Sequence, residues 1–361
     1  MDLYEKISIL GPSAQFDTCG PKDFGLTTNI PGVYRANIGG GRVCRLFKVL
    51  QTNVCQNNCH YCAFRRDRAT PRVSATPEEM ARAFDSAWSR RLVEGLFLSS
   101  SISGTPENTM TRMLNTAEIL RQKYHYTGYV HLKIMPGVSA ATIRAAANIA
   151  DRISLNIESP TAKSLAALSP EKDLRLGFYY TLSLIKQELR QRRWSGKRVP
   201  SVTTQFVVGA GDETDREIIQ VTHLLYKSFG LKRVFYSAFR PVLNTPLQDK
   251  PAASPTREHR LYQTDFLMRF YRFTPWDIPL DPTGTLIESV DPKLLWAQRH
   301  PEIFPINLNQ ADYWQILKVP GLGPTSARKI IALRQKSAFF SLDQLRGRRL
   351  PIAKIAQYTT L

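Results

Sequence analysis

Val54-Cys55-Gln56-Asn57-Asn58-Cys59-His60-Tyr61-Cys62 sets three cysteines on one short loop, spaced Cys55-x-x-x-Cys59-x-x-Cys62. Three thiolates so placed can hold three irons of a cubane [4Fe-4S] cluster. Such a cluster usually takes four cysteines, so one iron is left without a protein ligand. By analogy with zinc, closed metal sites are structural and open ones are where chemistry happens. Zinc is itself the rival reading, with His60 as fourth ligand, but His60 adjoins Cys59 and has to fold back sharply to reach the same ion. Disulfides fit less well, because the chain has an odd five cysteines and Met1-Asp2-Leu3-Tyr4-Glu5-Lys6 lacks the regions of a secretion signal. The thiols are therefore expected to be reduced and the protein cytoplasmic. Cys19 and Cys44 stand outside the motif and read as small buried hydrophobes. With no further cysteine cluster, no auxiliary iron-sulfur centre is expected.

Around this loop the chain alternates strands and helices from about residue 42 to 238. Apolar strand candidates are Cys44 to Leu50, Gly95 to Ser99, Tyr129 to Met135, Ile153 to Glu158, Val202 to Val208 and Arg233 to Phe239. Thr76-Pro77-Glu78-Glu79 is a capping box with proline at the first helical position, and Met80, Phe84, Trp88 and Val93 follow at roughly helical spacing. A second helix begins near Thr105-Pro106-Glu107 and carries Met110, Met113, Leu114, Ala117 and Leu120. Six strands alternating with helices imply a parallel sheet. The fold class expected is α/β, a partial (β/α)6 TIM-type barrel with a small all-α C-terminal domain. The cysteine loop begins where the first of these strands ends, and in such barrels ligands gather at the carboxyl ends of the strands.

The spacing, with aromatic Tyr61 just before the third cysteine, resembles the radical S-adenosylmethionine (SAM) superfamily signature C-x-x-x-C-x-aromatic-C. The resemblance implies the same partial barrel, a [4Fe-4S] cluster on Cys55, Cys59 and Cys62, SAM as cosubstrate, and an electron donor such as flavodoxin or ferredoxin. Superfamily members commonly hold the SAM amino group at the end of the second strand with a Gly-Gly-Glu run. Here Ser99-Ser100-Ser101 occupies that position. Asn156 and Glu158 sit where members place ribose or amino-group contacts; a cap or a salt bridge is the alternative role for each. Tyr61 is expected against the adenine, or otherwise in the core. Gly209 and Gly211 match a glycine-bearing strand end only loosely. Arg65, Arg66 and Arg68 either escort a phosphate to the barrel mouth or form a solvated face.

The charge points to a polyanionic partner. In 361 residues, 43% hydrophobic, 49 Lys and Arg face 30 Asp and Glu, a formal +19. From 305 to 361, nine basic residues (Lys318, Arg328, Lys329, Arg334, Lys336, Arg346, Arg348, Arg349, Lys354) face Asp312 and Asp343, a net +7. A second basic run, Lys186 to Arg198, closes a helix, where cations also suit the dipole. No apolar run is long enough to cross a membrane.

Within the tail, Ile316-Leu317-Lys318-Val319-Pro320-Gly321-Leu322-Gly323-Pro324-Thr325-Ser326-Ala327-Arg328-Lys329 joins a helix end to a new helix through two glycines. Gly321 and Gly323 let the backbone approach a phosphate, and the second helix's N-terminus attracts the anion, with Thr325, Ser326, Arg328 and Lys329 beside it. Such contacts read the backbone and not the sequence. This stretch resembles the helix-hairpin-helix motif. The flanks resemble those of modules in competence-type DNA receptors; Leu345 to Ile352 is left to supply a degenerate second hairpin.

The domains expected are 1–40, an extension on the barrel; 41–240, the barrel; 241–303, a proline-punctuated helical connection with Leu261, Phe266, Phe270 and Tyr271 covering the sheet; and 304–361, the DNA-binding module. Lys6 to Asp17, Arg257 to Gln263 and the two motifs together resemble the DNA modification or repair radical SAM family. That resemblance implies DNA as substrate and a uracil-DNA-glycosylase-like partner. Modification of tRNA or another RNA, and a non-catalytic iron-sulfur DNA-binding or redox-sensing protein, are the alternatives.

Overall fold

The computed structural model describes residues 1–17, 30–39, 42–339, 341–345 and 350–361. They form two compact units, Met1–Glu213 with Leu224–Glu258, and Thr214–His223 with His259–Leu361.

The first unit opens with α1 (Leu3–Ser13), then β1 (Val33–Gly39) and β2 (Arg42–Leu50). There follow α2 (Pro77–Ser89), β3 (Gly95–Ser99), α3 (Pro106–Gln122), β4 (Tyr129–Lys133), α4 (Ala140–Ile149) and β5 (Arg152–Ser154). Then come α5 (Ala162–Leu168), a π-helical turn (Leu174–Tyr179), α6 (Tyr180–Trp194), β6 (Ser201–Val208), α7 (Asp215–Phe229), of which the part up to His223 is counted with the second unit, and β7 (Arg233–Ala238). Strands β2 to β7 pair in sequence order and all in parallel, so their carboxyl ends share one edge. This is the α/β partial barrel expected, with the six predicted strands in place. Every residue of β3 is buried, as a strand covered on both faces requires.

One element differs. The stretch read as an N-terminal extension contributes β1, which pairs antiparallel with β2 and makes the sheet seven-stranded. Val33, Tyr34 and Ala36 are buried in it. Its sequence signal is the run Gly39-Gly40-Gly41, a hairpin punctuation between two strand-like segments.

The helix starts are as read. Thr76 and Glu79 close a reciprocal capping box ahead of Pro77, and Thr105 caps α3 ahead of Pro106. Met80, Phe84 and Val93 are buried, and so are Met110, Met113, Leu114, Ala117 and Leu120. Trp88 is not: it is 38% exposed and meets Tyr126 edge-on. At the last turn of α2 the ring lies across the edge of the core instead of inside it.

The second unit includes most of α8 (Pro255–Phe270), then α9 (Pro292–Arg299), β8 (Ile306–Asn307), α10 (Tyr313–Lys318), α11 (Pro324–Arg334), α12 (Ile352–Ala356) and β9 (Thr359–Thr360). Its core gathers Leu308, Leu317, Val319, Ile330 and Ile355. The two-residue β8 and β9 pair in parallel, a departure from an all-helical tail. In α8, Leu261 is buried, but Phe266 and Phe270 are 44% and 43% exposed. Their rings lie against Arg269 instead of forming a covered face. Of the second hairpin, 346–349 lie outside the described residues; α12 follows them. Cys19 also lies outside. Among the described residues, no helix is long and apolar enough to cross a membrane.

Gly11 lets α1 meet the start of β1. A Cβ there would stand 2.4 Å from the backbone nitrogen of Gly32. Gly11→Ala is therefore expected to cost about 1–3 kcal/mol, read as a lower midpoint in denaturant unfolding.

Candidate active site

A cavity of about 730 Å³ opens at the carboxyl ends of the strands, and Cys55, Cys59 and Cys62 all line it. They sit on the irregular segment after β2. Because this segment lacks a ladder, its carbonyls need other donors, and arginines supply them. Arg72 donates to the carbonyls of Asn53, Phe64, Arg65 and Arg68. Arg68 donates to Ala63 and Leu243, and Arg65 to the Asn58 side chain. Arg66 pairs with Asp67 and Glu171. The arginines expected to escort a phosphate are thus fasteners of the cysteine loop.

The segment after α5 clasps the loop from the other side. The Cys59 sulfur lies 3.0 Å from the Ser169 hydroxyl, the His60 N–H donates to the Leu168 carbonyl, and the Asn58 N–H donates to Glu171. The His60 ring nitrogen Nδ1 lies 2.8 Å from the Ala167 carbonyl. That contact ties the ring to the end of α5, and among the described residues no three His, Cys, Asp or Glu side chains are grouped for a single ion.

Burial, with Cys59 next to it, pushes the Cys62 thiol up to about 12. Lys172 answers this negative charge. Burial disfavours its cation, but Cys59, Glu158, Cys62 and Cys55 together hold its pKa above the ordinary lysine value. Its ammonium lies 3.6 Å from Glu158 and faces the rings of Tyr61 and Phe178. The Phe64 N–H points at the Cys62 sulfur at 3.4 Å. Sulfurs supplied with a hydroxyl, an N–H and a buried cation fit a group bound through thiolates.

The other residues read from the sequence line the same cavity: Tyr61, Ser99, Ser100, Ser101, Asn156 and Glu158. Ser99 ends β3, and its carbonyl accepts the Gln51 N–H; the Ser101 N–H donates to Thr52. Asn156 and Glu158 lie beyond β5, which is shorter than expected. Glu158 adopts φ +69° and bridges to Phe206. It takes the salt-bridge role, to Lys172. The Tyr61 ring packs with Leu168, Val207, Ala210 and Phe239. Burial and Glu158, to which the hydroxyl bonds, keep the phenol protonated well above its usual range. Gly209 donates its N–H to Glu213, whose acid is raised by burial, so this glycine pair closes a turn.

Sequence reasoning missed Ser169, Lys172, and the pair Asp17 and Lys133. The Lys133 ammonium lies 2.5 Å from Asp17 on the cavity wall. Burial opposes the Asp17 carboxylate, but Lys133 outweighs it and holds the acid below the usual range. No local signal marks these residues; only the sheet brings them together. Cys44 lies elsewhere, half-buried, its thiol raised by burial and by Glu94.

The second unit carries the hairpin. Asp312 caps α10, Gly321 takes φ +91°, and Gly323 caps α11 with no side-chain hydrogen bond. A Cβ on Gly321 would meet Pro351 at 2.9 Å, so the turn needs glycine for space as well as backbone. Thr325 and Arg328 are exposed, Lys329 is half-buried, and Ser326 is buried beside Ala327. In the other basic run, Arg192 is buried against Glu188 and Asn148, and Arg198 bonds Asp151 and three carbonyls, so both tie down the end of α6. Lys186, Arg190, Arg193 and Lys197 are exposed.

Residues 49–225 match the model of the Radical SAM superfamily. The chain carries a radical SAM domain. The domain implies a [4Fe-4S] cluster and S-adenosylmethionine, and the three cysteines that line the cavity lie within it. Residues 303–349 match a helix-hairpin-helix motif. The chain is similar to 7,8-didemethyl-8-hydroxy-5-deazariboflavin synthase of Methanosarcina barkeri (strain Fusaro / DSM 804), 26% identical over 262 residues, 68% of this chain and 74% of that one. Solved structures similar to it include the FeFe-hydrogenase maturase HydG from Carboxydothermus hydrogenoformans (16% identity, TM-score 0.48, 61% of this chain, 50% of that one). Methylornithine synthase is another (15%, TM-score 0.45, 61% of this chain, 60% of that one). The chain thus spans half to three-fifths of these solved relatives.

Cys59→Ala is expected to lose nearly all iron and sulfide after anaerobic reconstitution, while Cys44→Ala keeps the wild-type content of roughly four irons per chain. Elemental analysis with the visible charge-transfer absorbance checks both.

Proposed function

We propose that this protein is a radical SAM enzyme that modifies or repairs a nucleotide in DNA. The observation that carries this reading is the presence on one chain of a thiolate-lined cavity and a Pro-Gly-Leu-Gly turn whose helix start has no side-chain cap. When bound, the cluster would supply one electron, drawn from a donor such as flavodoxin or ferredoxin, for the reductive cleavage of SAM at a carbon–sulfur bond. The substrate nucleotide would supply the hydrogen atom that completes 5'-deoxyadenosine.

The chain's own residues do the rest. Cys55, Cys59 and Cys62 hold the cluster, with Ser169 and Lys172 compensating its charge. Ser99, Ser100, Ser101, Asn156 and Glu158 form the polar wall for SAM, and Lys172 is the buried cation available to a carboxylate. Gly321, Gly323, Thr325, Ser326, Arg328 and Lys329 grip phosphates, independent of base sequence. A base inside a duplex is out of reach, so the target is flipped, damaged or single-stranded. A uracil-DNA-glycosylase-like protein is the partner this reading suggests, in the cytoplasm. A small-molecule substrate is the second reading, favoured by the likeness to the deazariboflavin synthase.

The test is anaerobic turnover with SAM and dithionite. 5'-Deoxyadenosine is expected to rise several-fold on adding single-stranded or damaged DNA. Stimulation by tRNA alone, or by neither polymer, would overturn the DNA assignment, and no 5'-deoxyadenosine under any condition would sink the enzyme reading.

A further inference from the structure

Behind the hairpin of the second unit lies a lysine that neither the radical chemistry nor the hairpin motif accounts for. Lys293, in the first turn of α9, is 8% exposed. Its ammonium donates to the Leu322 carbonyl at 2.6 Å and sits 4.7 Å from the centre of the Tyr271 ring. Asp291 attracts it, but both carboxylate oxygens are engaged: one caps α9 through the N–H groups of Lys293 and Leu294, the other accepts from Gln263. Burying a cation costs free energy unless it is fully paired, and ionisable groups held at such a cost cluster at functional sites.

Leu322 is the residue between the two glycines of the turn. Its carbonyl and the Gly323 N–H belong to one trans peptide unit, so they point in opposite directions. A carbonyl drawn inward by Lys293 therefore turns the Gly323 N–H outward, at the start of α11.

We infer that Lys293 is the positioning residue of the hairpin's phosphate site: it orients the Leu322–Gly323 peptide toward a nucleic-acid phosphate and places a positive charge behind it. This rests on the phosphate-binding reading of the hairpin given above. The charge adds to the helix dipole, and the low dielectric of its surroundings makes it count for more than a surface lysine.

The groups facing Lys293 are Asp291 at the start of α9, Lys354 on α12 and the Tyr271 ring after α8. Burial, with Lys354 adding to it against Asp291, lowers its pKa to about 7. A phosphate at the turn favours the charged form and raises that value. Above pH 7 the complex then binds more protons than the free protein, so affinity falls as pH rises.

The experiment uses the full reconstituted chain and a fluorescein-labelled DNA duplex of about 20 base pairs, followed by anisotropy at fixed salt. The expected result is roughly tenfold weaker binding by the wild type at pH 8.5 than at pH 6.5. Calorimetry at pH 7.5 in HEPES and in Tris is expected to give net proton uptake, a readout that needs no variant. Lys293→Met is expected to bind roughly tenfold more weakly at pH 6.5 and to lose most of the pH dependence; Lys293→Arg restores binding at both pH values without the pH slope. Thermal unfolding reports whether each variant folds. Wild-type binding without proton uptake, or Lys293→Met matching wild type in affinity and slope, overturns the inference. If the wild type binds no duplex at all, the phosphate reading falls and this inference with it, an outcome distinct from the other two.

Discussion

Cys55, Cys59 and Cys62 line one wall, where burial and the neighbouring cysteines oppose a charge on the Cys62 sulfur, and the groups around them offset that opposition. An opposite charge is worth far more at such depth than at the surface, and Lys172 supplies it, with Glu158 and Tyr61 fixing its position. The Ser169 hydroxyl and the Phe64 N–H add hydrogen-bond donors at the sulfurs, which tune a bound cluster as well as stabilise the anions. The Asp17–Lys133 pair repeats the arrangement on the opposite chemistry, an acid kept charged by a buried amine.

The segments that carry these groups are irregular, and each is secured by side chains instead of a ladder. Arg72 alone satisfies four carbonyls of the cysteine loop. A loop fastened this way keeps its sulfurs at the end of β2 without asking the strand to continue. The second unit uses the same device: an amine reaching from α9 to one carbonyl sets the face that the hairpin turn presents.

Much of the fold was legible because its signals are local. The six parallel strands are apolar runs, and Thr76-Pro77-Glu78-Glu79 announces α2 through backbone chemistry contained in four residues. The antiparallel β1 escaped because the stretch before β2 was read only as an extension on the barrel. Trp88, Phe266 and Phe270 were misplaced because helical spacing gives a face but not how far that face is covered. In the site, the cysteines and Tyr61 share one loop and could be read together. Ser169, Lys172, Asp17 and Lys133 reach the same cavity from other elements, and their roles exist only once the sheet has curled. The arginines after Cys62 show the converse: a basic run suggests phosphate, while unsatisfied carbonyls nearby had the stronger claim on it.

The clasp between the cysteine loop and the segment after α5 also fixes an order of events. Cys59 and Ser169 are 110 residues apart in the chain, and β3, β4 and β5 with their helices lie between them. Closing so long a loop yields a net gain only when those intervening strands have already paired. The clasp is therefore a long-range contact that depends on the paired strands between its ends, and a finished pocket is itself a sign of a folded barrel.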